Sequence, residues 1–158
     1  MHLDPGPRRS PSHPPRARSG PARVLVADDD ADMRRLVADS LCKDGHEIVE
    51  ESDGGRLLVR IAAIYAFERT VDPFDLIVTD IRMPVCTGID ILKGLRDAHW
   101  LTPVILMTAF GDDDVRSRAM RLGAMLFDKP FQMRDLRDTV NRLLETSPLG
   151  LEAHEGRA

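Results

Sequence analysis

The chain has 158 residues, enough for one ordinary domain with little left over for a second. Lys+Arg 22 against Asp+Glu 26 gives a formal net charge of -4, a balance that does not call for nucleic acid or an anionic membrane as partner. The 42% hydrophobic content suffices for a continuous core, and no apolar run reaches the roughly 20 residues of a membrane helix. Residues 1–22 are mostly Pro, Arg, Ser, Gly and His, too poor in large apolar side chains to offset ordering, and read as a disordered Pro/Arg-rich arm. Its arginines (Arg8, Arg9, Arg16, Arg18, with Arg23 beyond) read as solvated charge rather than a phosphate site. The arm has no apolar h-region, so it is not a secretory signal.

From Arg23 the pattern alternates. Val24-Leu25-Val26-Ala27 is a short apolar run ending in acids, as in a strand buried on both faces. Met33, Leu36, Val37 and Leu41 recur at helical spacing, and Gly45 is placed to stop that helix. Glu47 to Glu51, with Ile48 and Val49, is a weaker strand. A second helix is predicted from about Gly55 toward Phe67, with Leu57, Leu58, Ile61, Ala62 and Tyr65 on one face and Pro73 beyond it as a breaker. Leu76-Ile77-Val78-Thr79 forms a third strand ending at Asp80. Ile89, Leu92 and Leu95 mark a third helix, and Pro103 to Met107 is the most apolar strand. Val115, Ala119 and Leu122 line a fourth helix and Met125 to Phe127 a short fifth strand. Met133, Leu136, Val140, Leu143 and Leu144 give a final amphipathic helix. Five strands each followed by a helix predict an α/β fold with a parallel sheet covered on both faces. Residues 147–158 show no periodicity and read as a flexible tail, leaving 23–146 as the folded domain.

The chemically interesting residues fall at strand C-termini: Asp28 and Asp29 after the first, Asp80 at the third, Thr108 at the fourth, Lys129 after the fifth. Ligands of open parallel sheets bind outside those ends. Three carboxylates brought to one edge repel one another, about 4 kcal/mol per pair at 4 Å and an effective dielectric of 20. Lys129 supplies one positive charge, which is insufficient. Mg²⁺ fits the remainder, a hard ion that takes one or two carboxylates and leaves room for phosphate oxygens. Without His or Cys at ligand spacing, zinc is disfavoured. The set therefore suits phosphoryl transfer: Asp80 as nucleophile, Mg²⁺ and Lys129 neutralising charge, Thr108 donating to a phosphoryl oxygen.

These residues stand in four stretches: Val24-Leu25-Val26-Ala27-Asp28-Asp29-Asp30; Asp75-Leu76-Ile77-Val78-Thr79-Asp80-Ile81-Arg82-Met83-Pro84 with Gly88; Met107-Thr108-Ala109; and Asp128-Lys129-Pro130-Phe131. Together they closely resemble the receiver domain of bacterial response regulators, from about Arg23 to Glu145. The resemblance implies a flavodoxin-like (βα)5 three-layer sandwich with strand order 2-1-3-4-5. It implies that Asp29 binds Mg²⁺ directly and Asp28 largely through water. Asp80 would be both phosphoacceptor and metal ligand, with the backbone carbonyl of Arg82 supplying another ligand. Thr108 and Lys129 would hold the phosphoryl group, and the peptide before Pro130 is often cis in the family. A histidine kinase or phosphotransfer protein would then be the donor and a downstream protein the reader of helix four, strand five and helix five. Such a protein is a signalling switch that catalyses only its own phosphorylation and dephosphorylation.

The departures are local. Leu126 occupies the position that usually carries the switch aromatic, and Phe127, one residue on, should face the other side of the sheet. The segment from Asp53 to Asp75 looks about two turns longer than usual. Arg82 and Phe110 stand where the family tunes phosphoryl lifetime. Asp30 and Asp32 read as the start of helix one, and Asp112, Asp113 and Asp114 as the start of helix four. His46, His99 and His154 are scattered and read as structural or exposed. Cys42 reads as a packing residue, Cys86 as a loop thiol without a base, and both as reduced thiols of a cytoplasmic protein. Two rivals are weaker. A haloacid-dehalogenase-like phosphatase would use the Asp28-x-Asp30 spacing, but the expected Gly-Thr does not follow. A DNA-binding regulator would need an output module, and none fits after Glu145. The expectation is thus a stand-alone receiver without direct DNA or membrane binding.

Overall fold

The computed structural model describes residues 21–66, 74–109 and 113–146. The arm up to residue 20, the tail from 147, and the expectations placed on Phe67, Pro73, Phe110, Asp112 and His154 lie outside the described residues. The elements follow in strict alternation: β1 (Arg23–Ala27), α1 (Ala31–Cys42), β2 (Glu47–Glu51), α2 (Gly54–Ala66), β3 (Leu76–Asp80), α3 (Gly88–Asp97), β4 (Val104–Thr108), α4 (Asp113–Arg121), β5 (Met125–Asp128) and α5 (Met133–Thr146). All strand pairings are parallel and the order is β2-β1-β3-β4-β5, the flavodoxin-like arrangement. Among the described residues, no helix is long and apolar enough to cross a membrane.

The period of two along each strand divides the core into two layers. Leu25, Ala27, Ile77 and Leu106 point to the side covered by α2, α3 and α4, where they meet Leu57, Ile64, Leu92 and Ala119. Val24, Val26, Val78, Ile105 and Met107 point to the side of α1 and α5, against Val37, Leu41, Leu136 and Val140. Each of the Val, Leu, Ile and Met side chains among them, fully buried, contributes about 1.5–3 kcal/mol relative to leaving it exposed. Ala22, the last residue of the predicted arm, also packs in the α1–α5 layer, and its carbonyl accepts from the Glu47 N–H.

The helix faces differ in part from the sequence reading. In α1, Val37, Ala38 and Leu41 are buried, but Leu36 is half exposed, one residue off the stripe. In α2, Leu57 and Ile64 are buried with Ile61 partly buried between them, while Leu58 and Ala62 face solvent; the Tyr65 side chain lies outside what is described. Cys42, expected to pack, is exposed at the last residue of α1.

Candidate functional site

β1 and β3 are central strands, so their C-terminal ends open side by side at one sheet edge. Asp28 follows Ala27 directly and is fully buried. Four of its polar atoms are each engaged. Its N–H donates to the Glu51 carbonyl (3.2 Å), and its carbonyl accepts from Arg34 Nη1 (2.8 Å). Oδ1 accepts from the Asp30 N–H (3.0 Å) and Oδ2 from Lys129 Nζ (3.0 Å). Asp29 is exposed. Asp30 is the N-cap of α1, accepting from the N–H groups of Asp32 and Met33, which separates it from the acidic cluster.

Asp80 ends β3 and is only 9% exposed. Its Oδ2 accepts from Lys129 Nζ (3.3 Å) and its Oδ1 from the Arg82 N–H (3.3 Å). The Arg82 side chain itself is exposed. The loop that follows is drawn tight by the Gly88 N–H on the Ile81 carbonyl. A Cβ at position 88 would lie 2.5 Å from the Asp80 carbonyl oxygen, so only glycine fits there. Thr87 then caps α3 in a reciprocal box with Asp90, a helix start the sequence reading did not single out.

One carboxylate oxygen each from Asp28, Asp29 and Asp80 lies within 4.8 Å of the others. Burial, ahead of every other influence, pushes the Asp28 carboxyl up, and the nearby Asp80 adds to this; the Asp30 N–H and Lys129 oppose it. For Lys129 burial alone would favour the neutral amine. Its hydrogen bonds and charge attraction to Asp28 and Asp80 outweigh that and hold its pKa above the ordinary lysine value. One ammonium thus faces three carboxylates, and the donor set is all oxygen. That chemistry fits a hard divalent cation such as Mg²⁺ and gives a soft metal no ligand.

Thr108 ends β4, 4% exposed, and its carbonyl accepts the Lys129 N–H (2.7 Å). With Asp80 in register with Met107 and Thr108 with Asp128, strands three, four and five finish at one level beside the acids. The Lys129–Pro130 peptide is cis. Leu126 is partly buried in the α2–α3–α4 layer, while Phe127 lies in the α1–α5 layer with its ring edge-on to Phe131 at 5.4 Å. The sequence candidates therefore converge on one edge. Arg34 was missed: one arginine beside another in a helix carries no signal that it returns to the strand end.

The model of the response regulator receiver domain matches residues 24–141. The chain belongs to the response regulator receiver domain family. This receiver is 36% identical over 117 residues to the transcriptional regulatory protein PdtaR of Mycobacterium tuberculosis, covering 73% of this chain and 53% of that protein. It is 33% identical to the transcriptional regulatory protein CpxR of Escherichia coli, with 79% and 50% coverage, and 34% identical to that organism's regulatory protein AtoC, with 82% and 27%. The receiver thus spans about half the length of PdtaR and CpxR and less of AtoC. Among solved structures, the receiver domain of the Francisella response regulator 1452 superposes with a TM-score of 0.68 at 30% identity, covering 78% of this chain and 97% of that one. The Vibrio cholerae chemotaxis protein CheY4 gives 0.66 at 28%, covering 78% and 99%. The receiver belongs to a family of two-component signalling switches.

Proposed function

We propose that this receiver is a Mg²⁺-dependent phosphorylation switch in which Asp80 is the phosphoryl acceptor. The observation that carries the reading is the convergence of three carboxylates within 4.8 Å of one another, with Lys129 Nζ bonded to two of them. Asp28, Asp29, Asp80 and the carbonyl of Arg82 would hold the ion, which supplies positive charge to the oxygens of the transferring phosphoryl group.

The protein's own groups do the rest. A carboxylate oxygen of Asp80 attacks phosphorus, forming an acyl phosphate as the bond to a phosphohistidine nitrogen, or to the oxygen of a small acyl phosphate, breaks toward the leaving group. Lys129 then bonds to the oxygens that gain charge, and the Thr108 hydroxyl donates to another, drawing its loop toward Asp80. Hydrolysis of the acyl phosphate resets the site. The donor is a histidine kinase or phosphotransfer protein. The surface of α4, β5 and α5 would pass the change to a downstream protein.

The test is labelling by acetyl phosphate or a kinase. Wild type should acquire a hydroxylamine-sensitive phosphate only with Mg²⁺, and Asp80→Asn should lose it. Undiminished labelling of that variant, or labelling in excess chelator, would sink the assignment.

A further inference from the structure

The feature least accounted for is Arg34. It lies in the first turn of α1, where the helix dipole disfavours a cation. Its side chain is only 19% exposed, so a long flexible group has been immobilised at a cost in rotamer entropy. Something specific must offset both. Arg34 Nη1 donates to the Asp28 carbonyl at 2.8 Å, and Nε lies 3.3 Å from Glu50 Oε1 on β2.

The carbonyl it holds is unusual. Residue pairing of β1 with β2 and β3 ends at Ala27, and the Asp28 N–H makes the last bond to β2, on the Glu51 carbonyl, so the Asp28 carbonyl lies beyond both ladders. That carbonyl belongs to the peptide joining Asp28 to Asp29. Rotation of this peptide plane would move the exposed Asp29 relative to the buried Asp28. Mg²⁺ demands near-octahedral geometry at about 2.0–2.1 Å, which tolerates little such movement. The planar fork of a guanidinium can serve the carbonyl and the Glu50 carboxylate at once, while an ammonium has no such paired geometry.

We infer that Arg34 is a positioning residue of the acidic site: braced on Glu50, it fixes the peptide between Asp28 and Asp29 and so sets the affinity for the divalent cation. The inference rests on the reading of this edge as a Mg²⁺ site. Arg34 acts through the backbone, not through its charge. Arg35, the next residue, is exposed and provides the matched control for charge.

The experiment is calorimetric titration of the full chain with Mg²⁺ alone, with thermal melts in chelator run in parallel. Arg34→Ala should weaken Mg²⁺ binding roughly tenfold, the lower end of the range for residues that orient metal ligands. Arg34→Lys should lose nearly as much despite keeping the charge, Glu50→Gln should lose less, and Arg35→Ala should match wild type. If Arg34→Ala does not fold, Arg34→Lys and Glu50→Gln decide the matter. Wild-type affinity in Arg34→Lys, or an equal loss in Arg35→Ala, overturns the inference and leaves the metal reading standing. A wild-type protein that binds no Mg²⁺ overturns both.

Discussion

Replacing Asp28 with asparagine should stabilise the metal-free protein while weakening its hold on Mg²⁺. The side chain is fully buried, and asparagine keeps an oxygen for the Asp30 N–H at nearly the same volume, while its amide nitrogen replaces Oδ2 and gives up the bond from Lys129. At an effective dielectric of 20, Lys129 at 3.0 Å attracts the Asp28 charge by about 5.5 kcal/mol. Asp80 and Asp29, with oxygens within 4.8 Å, each repel it by about 3.5 kcal/mol at that separation, Asp29 less because solvent screens it. Attraction and repulsion nearly cancel, so the cost of burying the charge decides the sign. Lys129 retains Asp80 as partner in the variant. The expected gain at neutral pH is about 1–2 kcal/mol, or roughly 5 °C in the melting midpoint. Because burial holds the Asp28 carboxyl above its usual range, its contribution to stability is present below the unfolded value and lost as pH rises through the folded one. The advantage of the variant should therefore vanish in acid and grow as pH rises through the folded value. Excess Mg²⁺ should invert the order, since ligand at a hundredfold over Kd adds about 2.7 kcal/mol to the protein that binds it. The assay is a set of melts across pH in chelator and in Mg²⁺. A lower midpoint for Asp28→Asn in chelator at neutral pH would refute the reasoning.

Three further outcomes are expected. Val85 holds φ 72° while 89% exposed, a left-handed conformation that β-branched residues strongly resist. Val85→Gly should raise the unfolding free energy by about 1 kcal/mol, seen as a higher urea midpoint, from the relief of left-handed strain less the added freedom of glycine; a lower midpoint would show that its side-chain contacts outweigh the strain. Asp29→Ala should weaken Mg²⁺ binding more than Asp30→Ala, because Asp30 is spent on the α1 cap; equal losses by calorimetry would erase that division. Thr108→Ala should remove most of the amide shifts induced by beryllofluoride, a stable phosphoryl mimic, while Leu126→Ala alters them modestly; a wild-type response from Thr108→Ala would end this account of the switch.

The order of elements and the positions of the acids were legible because both follow from short-range pattern. Apolar runs of four or five residues that end in Asp or Thr and alternate with helical patterns read as central strands of a parallel sheet, and β1, β3 and β4 are such strands, with Asp28, Asp80 and Thr108 at their ends. Helix faces were less legible. Leu36 and Leu58 each sit beside a residue that is buried, and a one-residue rotation of 100° about the helix axis decides which of the pair packs. Cys42 fell to the same ambiguity at a helix end. Ion pairs between elements left no trace in the sequence at all. Arg34 with Glu50, Arg60 with the buried Glu51, and Arg116 with Asp128 join residues whose proximity depends on how helices settle on the sheet.

Alternation along β5 makes that strand a partition wall. Leu126 shares its room with α2, α3 and α4, and Phe127 shares the other with α1 and α5, where it is clasped by Phe131. A shift that begins at the end of β4 and spreads into α4 arrives directly in the first room. To reach α5 it must pass through the wall, against a strand whose opposite face is packed aromatic to aromatic. A downstream protein lying across α4, β5 and α5 would thus rest one part of its footprint on the room that opens toward the site and the other on the Phe127–Phe131 packing.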